Sequence, residues 1–252
     1  MTIEFGNATD IGLVREENQD SIGKFPVDSV DISSPQGQLF IVADGMGGHR
    51  GGRVAGELAV ESIQREYFSD SLDNIAERLE RVFQQANTDI YEYSFSHPSY
   101  LGMGTTCTAL ALQDGRGYIA HLGDSRVYRV TKQSIEQLTE DHSTVAEMQR
   151  RGLLTSEEAK NHPQRSQLYR ALGVRPSADV DVVRDIVLHG EEYFVLCTDG
   201  LYNYFDTKEI QKIVLANSPQ NACEELVRLA NERGGQDNIT VQVIQIKGSR
   251  DE

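Results

Sequence analysis

At 252 residues the chain is long enough to bury a substantial core, in one large domain or two small ones. Hydrophobic residues make up 38% and charged residues 25% of it, which excludes a disordered tail. A net charge of −15 argues against a non-specific nucleic-acid binder, which works by neutralising phosphates, and against docking on an anionic membrane surface.

The first residues, Met1 to Gly6, have no basic n-region and no apolar h-region, and read instead as the start of a strand-like stretch. Leu39-Phe40-Ile41-Val42-Ala43 is the next strand, far too short to span a membrane. A helix is predicted over Gly52 to Phe68, with an apolar stripe of Val54, Leu58, Ala59 and Ile63. From Asn74 a second stripe runs through Ile75, Leu79, Val82, Phe83, Ala86 and Ile90. Strands follow over Thr105 to Leu112, Gly117 to His121 and Arg126 to Thr131, and short turns such as Gln113-Asp114-Gly115 predict antiparallel hairpins.

Residues 141–170 are polar, with few apolar anchors and a helix start at Thr155-Ser156-Glu157-Glu158, and read as a surface insertion able to act as a flap. Tyr193 to Cys197 is a strand. Asp206 with Glu209 makes a capping-box-like start for a helix ending near Ala216, and Ser218-Pro219 opens another that Gly234-Gly235 ends. Ile239 to Ile246 alternates and is β-branched, a strand with one buried face. Strands grouped apart from helices, without a regular βαβα alternation, predict an α+β fold with antiparallel sheets. No repeat, low-complexity tract or linker divides the chain, so 1–252 reads as a single domain. Cys107, Cys197 and Cys223 are odd in number and lie in apolar stretches, which argues against disulfides and zinc and for a reduced, cytoplasmic protein.

The acidic residues follow or flank these strands. Asp44 and Asp199 each end an apolar strand and precede a glycine, Asp237 immediately precedes the last strand, Asp124 lies in the turn Gly123-Asp124-Ser125, and Asp20 belongs to the first turn region. One Asp-Gly after a strand is ordinarily a turn. Several at one end of a sandwich would repel one another unless cations lay between them. Oxygen-only ligands without nearby His or Cys point to Mg²⁺ or Mn²⁺, with the carbonyl of Gly45 as a further ligand. Two such ions roughly 3.5–4 Å apart lower the pKa of a bridging water and stabilise a phosphoryl displacement. Arg15, near Asp20, is the candidate partner for a phosphate.

Six motifs appear in one order: Arg15-x-x-Asn18-Gln19-Asp20, Val42-Ala43-Asp44-Gly45-Met46-Gly47-Gly48-His49, Gly102-x-Gly104-Thr105-Thr106, His121-x-Gly123-Asp124-Ser125-Arg126, Leu196-Cys197-Thr198-Asp199-Gly200-Leu201 and Gly235-Gln236-Asp237-Asn238-x-Thr240-Val241. Together they resemble the metal-dependent serine/threonine protein phosphatases of the PPM, or protein phosphatase 2C, family in its bacterial form. The resemblance implies an α-β-β-α four-layer sandwich of two antiparallel sheets flanked by helices. It implies hydrolysis of phosphoserine and phosphothreonine by in-line attack of a hydroxide bridging two Mn²⁺ or Mg²⁺ ions, with a third, weaker ion. Asp44 would bridge both tight ions, Gly45 would give its carbonyl to one, and Asp199 and Asp237 would hold the other. Asp20 would act on the first directly or through water, Asp124 would join Asp199 at the third, Arg15 would bind the phosphate, and 141–170 would be the flap.

Many eukaryotic members carry Glu-Asp where this chain has Gln19-Asp20, and a histidine where it has Met46. The proton for the leaving oxygen would then come from His49, another histidine or metal-bound water; His142 beside Asp141 reads as structural, holding the root of the flap. The implied partners are phosphorylated proteins made by a serine/threonine kinase, met by a cytoplasmic monomer in signalling. Alternatives on the same scaffold are hydrolysis of small phosphate esters or phosphohistidine, or a catalytically inactive metal-sensing module.

Overall fold

The computed structural model describes residues 1–33, 35–46, 51–69, 74–160 and 162–248. In chain order these form β1 (Thr2–Asp10), β2 (Asp20–Phe25), β3 (Gln38–Met46), α1 (Gly51–Ser69), α2 (Ile75–Ser96), β4 (Gly104–Thr105), β5 (Cys107–Gln113), β6 (Arg116–Leu122), β7 (Arg126–Val130) and β8 (Ile135–Gln137). There follow α3 (Thr144–Arg150), α4 (Ser156–Lys160), β9 (Asp181–Val187), β10 (Glu192–Cys197), α5 (Asp199–Tyr202), α6 (Thr207–Ala216), α7 (Pro219–Glu232) and β11 (Ile239–Lys247).

The strands make two antiparallel sheets. One runs β1-β11-β10-β7-β8; the other runs β2-β3-β5-β6-β9, with β4 paired to the end of β3. The apolar run in β3 is continuous because both of its faces are covered. Leu39, Ile41 and Ala43 pack with Ala55, Ile63, Leu79 and Phe83 of α1 and α2, while Phe40 and Val42 pack with Phe194, Leu196, Ile244 and Ile246 of the facing sheet. On the far side Val195, Val241 and Val243 pack with Ile210, Val214 and Leu226 of α6 and α7. Helix, sheet, sheet and helix are thus stacked through three apolar layers, the expected four-layer α+β sandwich. Among the described residues no helix is long and apolar enough to cross a membrane.

The helix boundaries follow local chemistry. Asn74 caps α2 by accepting from the amides of Ala76 and Glu77, Asp206 caps α6 through the amide of Glu209, and Ser218 caps α7 through that of Asn221. The buried face of α1 differs from the expected stripe. Ala55, Gly56, Ala59, Val60 and Ile63 form it, and Val54 and Leu58 sit at its half-buried margin. Small residues win that face because the helix lies close over β2 and β3: a Cβ on Gly56 would meet Ser21 Oγ at 2.8 Å.

Two strand expectations need correction. The turn at Asp114-Gly115 does make a hairpin, with Gln113 opposite Arg116 and positive φ at both turn residues. The turn at 123–125 does not: β6 belongs to one sheet and β7 to the other, so Asp124 rides on a crossover between them. The predicted strand Thr105 to Leu112 is interrupted at Thr106, which turns its hydrogen bonds toward Asp44. The three cysteines are free and buried.

Candidate active site

The two sheets end together at a cleft of about 1120 Å³ lined by Arg15, Asp44, Gly45, Asp124, Asp199 and Asp237, among others. Asp44 reaches it from β3 and is fixed on both backbone sides. Its amide donates to Thr106 Oγ1 at 2.9 Å, and its carbonyl accepts from the Thr106 amide at 2.8 Å and from Thr105 Oγ1 at 3.0 Å. The expectation of a turn at Asp20 is corrected: it opens β2 and sits directly across the ladder from Asp44, beneath the lining of the cleft. Register alone therefore places two carboxylates side by side.

The other half of the cleft comes from the facing sheet. Thr198 follows β10 at the N-cap position, Asp199 starts α5, and Asp237 precedes β11. Thr198 ties the sheets together, donating to Asp20 Oδ2 at 2.9 Å while accepting from the Thr240 amide at 3.1 Å. Glycine is needed beside two of these aspartates for a reason the sequence did not reveal. A Cβ on Gly45 would lie 2.0 Å from the carbonyl oxygen of Gly52, and one on Gly200 would lie 1.9 Å from that of Asn238. These glycines let backbone approach backbone at the floor of the site.

Asn238 stands in the last motif with no role assigned to it there, and it is the main residue whose function sequence reasoning missed. It is buried, accepts from the Gln19 amide at 2.9 Å, and donates to the carbonyls of Ile11 and Glu17 at 2.9 and 3.0 Å. One side chain thus anchors both ends of the loop carrying Arg15. The guanidinium of Arg15 reaches Asp237 Oδ2 at 2.7 Å.

Asp124 is 8% exposed, and its crossover turn is clamped from the root of the 141–170 segment. The His142 amide donates to the Gly123 carbonyl at 2.8 Å, and the Gly123 amide donates to His142 Nδ1 at 3.1 Å. With Nδ1 accepting, the ring proton belongs on Nε2, which donates to Asp181 Oδ2 at 3.0 Å. Below the turn, Arg126 pairs with Asp141 at 2.6 Å and lies 3.5 Å over the Tyr202 ring. The described residues of the segment are mostly exposed or half-buried, with His142, Ser143, Val145 and Ala159 buried, and its Ser166 and Leu168 reach the cleft. His49 lies outside the described residues.

Electrostatically the site is strained by its own charge. Burial, then neighbouring carboxylates, pushes Asp44 and Asp124 well above the usual range; Asp20 is pushed up to about 7 and Asp199 to about 6. Among the described residues, no three acidic, His or Cys side chains already converge as a closed cage, and Arg15 occupies one oxygen of Asp237. The donor set nevertheless fits divalent cations: it is all oxygen, and Asp20 Oδ1 and Asp199 Oδ1 are buried without a hydrogen-bond partner among the described residues.

Raised carboxylate pKa values mean that the folded chain takes up protons more readily than the unfolded one. In chelator, stability should therefore rise by about 1 kcal/mol or more as pH falls from 8 to 6.5 through the folded value of Asp20. Between pH 6.5 and 4 the carboxylates continue to favour the folded chain, and His121, lowered to about 4 by burial and so protonated first in the unfolded chain, offsets only part of their contribution. Thermal melting in EDTA across this range checks the expectation; a midpoint that falls steadily from pH 8 would contradict it.

Comparison with known proteins agrees with this geometry. Over 248 residues the chain is 35% identical to the protein phosphatase PhpP of Streptococcus pneumoniae, covering 97% of this chain and 98% of that protein. The serine/threonine phosphatase of S. agalactiae superposes with a TM-score of 0.88 at 34% identity, covering 97% and 100% of the two chains. The catalytic domain of the serine/threonine protein phosphatase PstP, solved with two manganese ions, superposes with a TM-score of 0.83 at 27% identity, covering 98% and 99%. The protein phosphatase 2C family model matches residues 16–240, and with that the chain belongs to the protein phosphatase 2C family of serine/threonine phosphatases.

Proposed function

We propose that the chain hydrolyses phosphoserine and phosphothreonine in proteins with the help of Mn²⁺ or Mg²⁺ held by its cleft aspartates. The observation that carries this reading is the convergence of Asp44, Asp124, Asp199 and Asp237 on one cleft, with Asp20 Oδ1 and Asp199 Oδ1 buried and without a hydrogen-bond partner among the described residues. Asp44 would be the ligand common to two ions, with the Gly45 carbonyl and Asp20 assisting it. Asp199 and Asp237 would hold the second ion, and Asp124 with Asp199 a third, weaker one. When bound, such ions neutralise the substrate phosphate and supply a nucleophile from water at neutral pH.

The chain's own residues supply the rest. Thr106 fixes the backbone of Asp44 and Thr198 holds the carboxylate of Asp20, so the strand ends that carry both residues are set before any ligand arrives. Arg15 is half exposed and bonded at present to Asp237, so it can turn outward to grip a phosphate through paired N–H donors once a cation competes for that carboxylate. Segment 141–170 flanks the cleft as a flap. Its Ser166 and Leu168 contact the protein part of the substrate, and His142 holds its root to the Asp124 turn. His49 remains the candidate proton donor to the leaving oxygen.

Arg15→Ala should raise KM for a phosphothreonine peptide by about tenfold and lower kcat/KM at least as much, while Mn²⁺ affinity stays near that of the wild type. Steady-state kinetics beside calorimetric Mn²⁺ titration checks this. An unchanged KM would reduce Arg15 to a surface charge. If p-nitrophenyl phosphate were hydrolysed and every phosphopeptide refused, the small-ester reading would replace the phosphoprotein one.

A further inference from the structure

The loop 11–17 enters the cleft at Arg15, and the apolar side chains just before it are largely exposed. Leu13 is 68% and Val14 65% exposed, two adjacent apolar side chains in water immediately preceding the cleft-lining Arg15. Their exposure is held in place by the backbone. The Leu13 amide donates to the Gly235 carbonyl at 2.7 Å and the Gly12 amide to Asp10 Oδ1 at 2.8 Å. Gly12 sits at φ 80°, where a Cβ would meet the Asp237 carbonyl at 2.3 Å, and Asn238 binds the carbonyls at both ends of the loop. Folding the two side chains inward would break these bonds, so the apolar pair is a rigid surface.

The other side of Arg15 is acidic. Glu16 lines the cleft and has no hydrogen-bond or ion-pair partner among the described residues. Glu17 shares the single guanidinium of Arg53 with Glu57, at 2.9 and 2.7 Å. Three carboxylates against one cation leave this rim negative, on a chain whose net charge is already −15. A rim of that kind attracts cationic segments and repels acidic ones.

We propose that loop 11–17 reads the residues flanking the phosphorylated serine or threonine, selecting peptides with a Lys or Arg that faces Glu16 and Glu17 and an apolar side chain that covers Leu13 and Val14. This rests on the phosphatase reading of the cleft and adds the substrate class to it. The apolar pair and the acidic pair lie on opposite sides of Arg15 in sequence, so a phosphate gripped there sets both flanks in register. Rigidity makes the selection effective, because no ordering cost is taken from the contact.

The test uses the full chain with Mn²⁺ and phosphothreonine peptides scanned at three positions on each side with Lys, Glu, Leu or Ser. At the best position, kcat/KM should favour Lys over Glu by about fivefold at about 50 mM salt and by less than twofold at about 0.5 M. Leu should be favoured over Ser by about threefold, without salt dependence. Glu16→Lys should abolish or invert the charge preference only, and the double change Leu13→Ser with Val14→Ser should remove the apolar preference only. Each preference is a ratio within one preparation, so a general loss of turnover cancels. Equal rates on the paired peptides, or ratios unchanged in the variants, would overturn the proposal. Failure of the wild type to hydrolyse any phosphopeptide or p-nitrophenyl phosphate would instead sink the phosphatase reading, and this proposal with it.

Discussion

Asp44→Asn is expected to lower kcat for a phosphothreonine peptide by about 10³-fold or more, while the melting temperature in chelator holds or rises. The substitution is nearly isosteric, and the backbone of residue 44 is fixed by Thr105 and Thr106 whatever the side chain carries. What it removes is charge. If one carboxylate serves two cations, its loss weakens both, and a 10³-fold effect corresponds to about 4 kcal/mol of transition-state stabilisation. In the absence of cations the same charge is a liability, since burial and the charges of Asp20, Asp199, Asp124 and Asp237 all disfavour it. Turnover and melting measured on one preparation separate the readings. A less stable protein with normal kcat would make Asp44 a structural residue.

Asn238→Ala should cost about 3 kcal/mol of stability and lower kcat/KM through KM. The side chain is buried and answers three backbone groups, the amide of Gln19 and the carbonyls of Ile11 and Glu17. Truncation strands all three, at roughly 1 kcal/mol or more each. For a chain of this size the loss is a fall of about 6–12 °C in melting temperature. The Arg15 loop would lose both anchors, so faster amide exchange should spread over 11–19 while β11 stays protected. Asn238→Asp, which keeps the acceptor but turns a carboxylate oxygen toward the Ile11 and Glu17 carbonyls beside the cleft aspartates, should cost at least as much. Unchanged exchange at the loop in the Ala variant would show that other contacts hold Arg15 in place.

Much of this site was legible because its residues stand at strand ends. Asp44, Asp124, Asp199 and Asp237 each follow or precede an apolar run in the sequence, and a run that ends in Asp before Gly leaves a local mark. Asn238, Thr106 and Thr198 stand within the motifs, but nothing local showed what their side chains do. Asn238 acts on residues more than 200 positions away, and a threonine in a strand looks the same whether or not its hydroxyl holds an aspartate. Strand β2 was hidden because Asp20–Phe25 contains Gly23 and buries little, so no alternation shows. The crossover at Asp124 resembled a hairpin because turn residues report local bending and not which sheet the chain enters next. In α1 the burial of Ala55 and Gly56 depends on how near the sheet lies, which hydrophobicity does not encode.

The central claim is that catalysis resides in cations bound by the cleft aspartates. It is tested most directly by stripping the protein with excess EDTA, titrating Mn²⁺ back and following hydrolysis of a phosphothreonine peptide. The account predicts no turnover in EDTA, recovery with added Mn²⁺ in the wild type, and no comparable recovery in Asp44→Asn. Full activity in excess EDTA would contradict it.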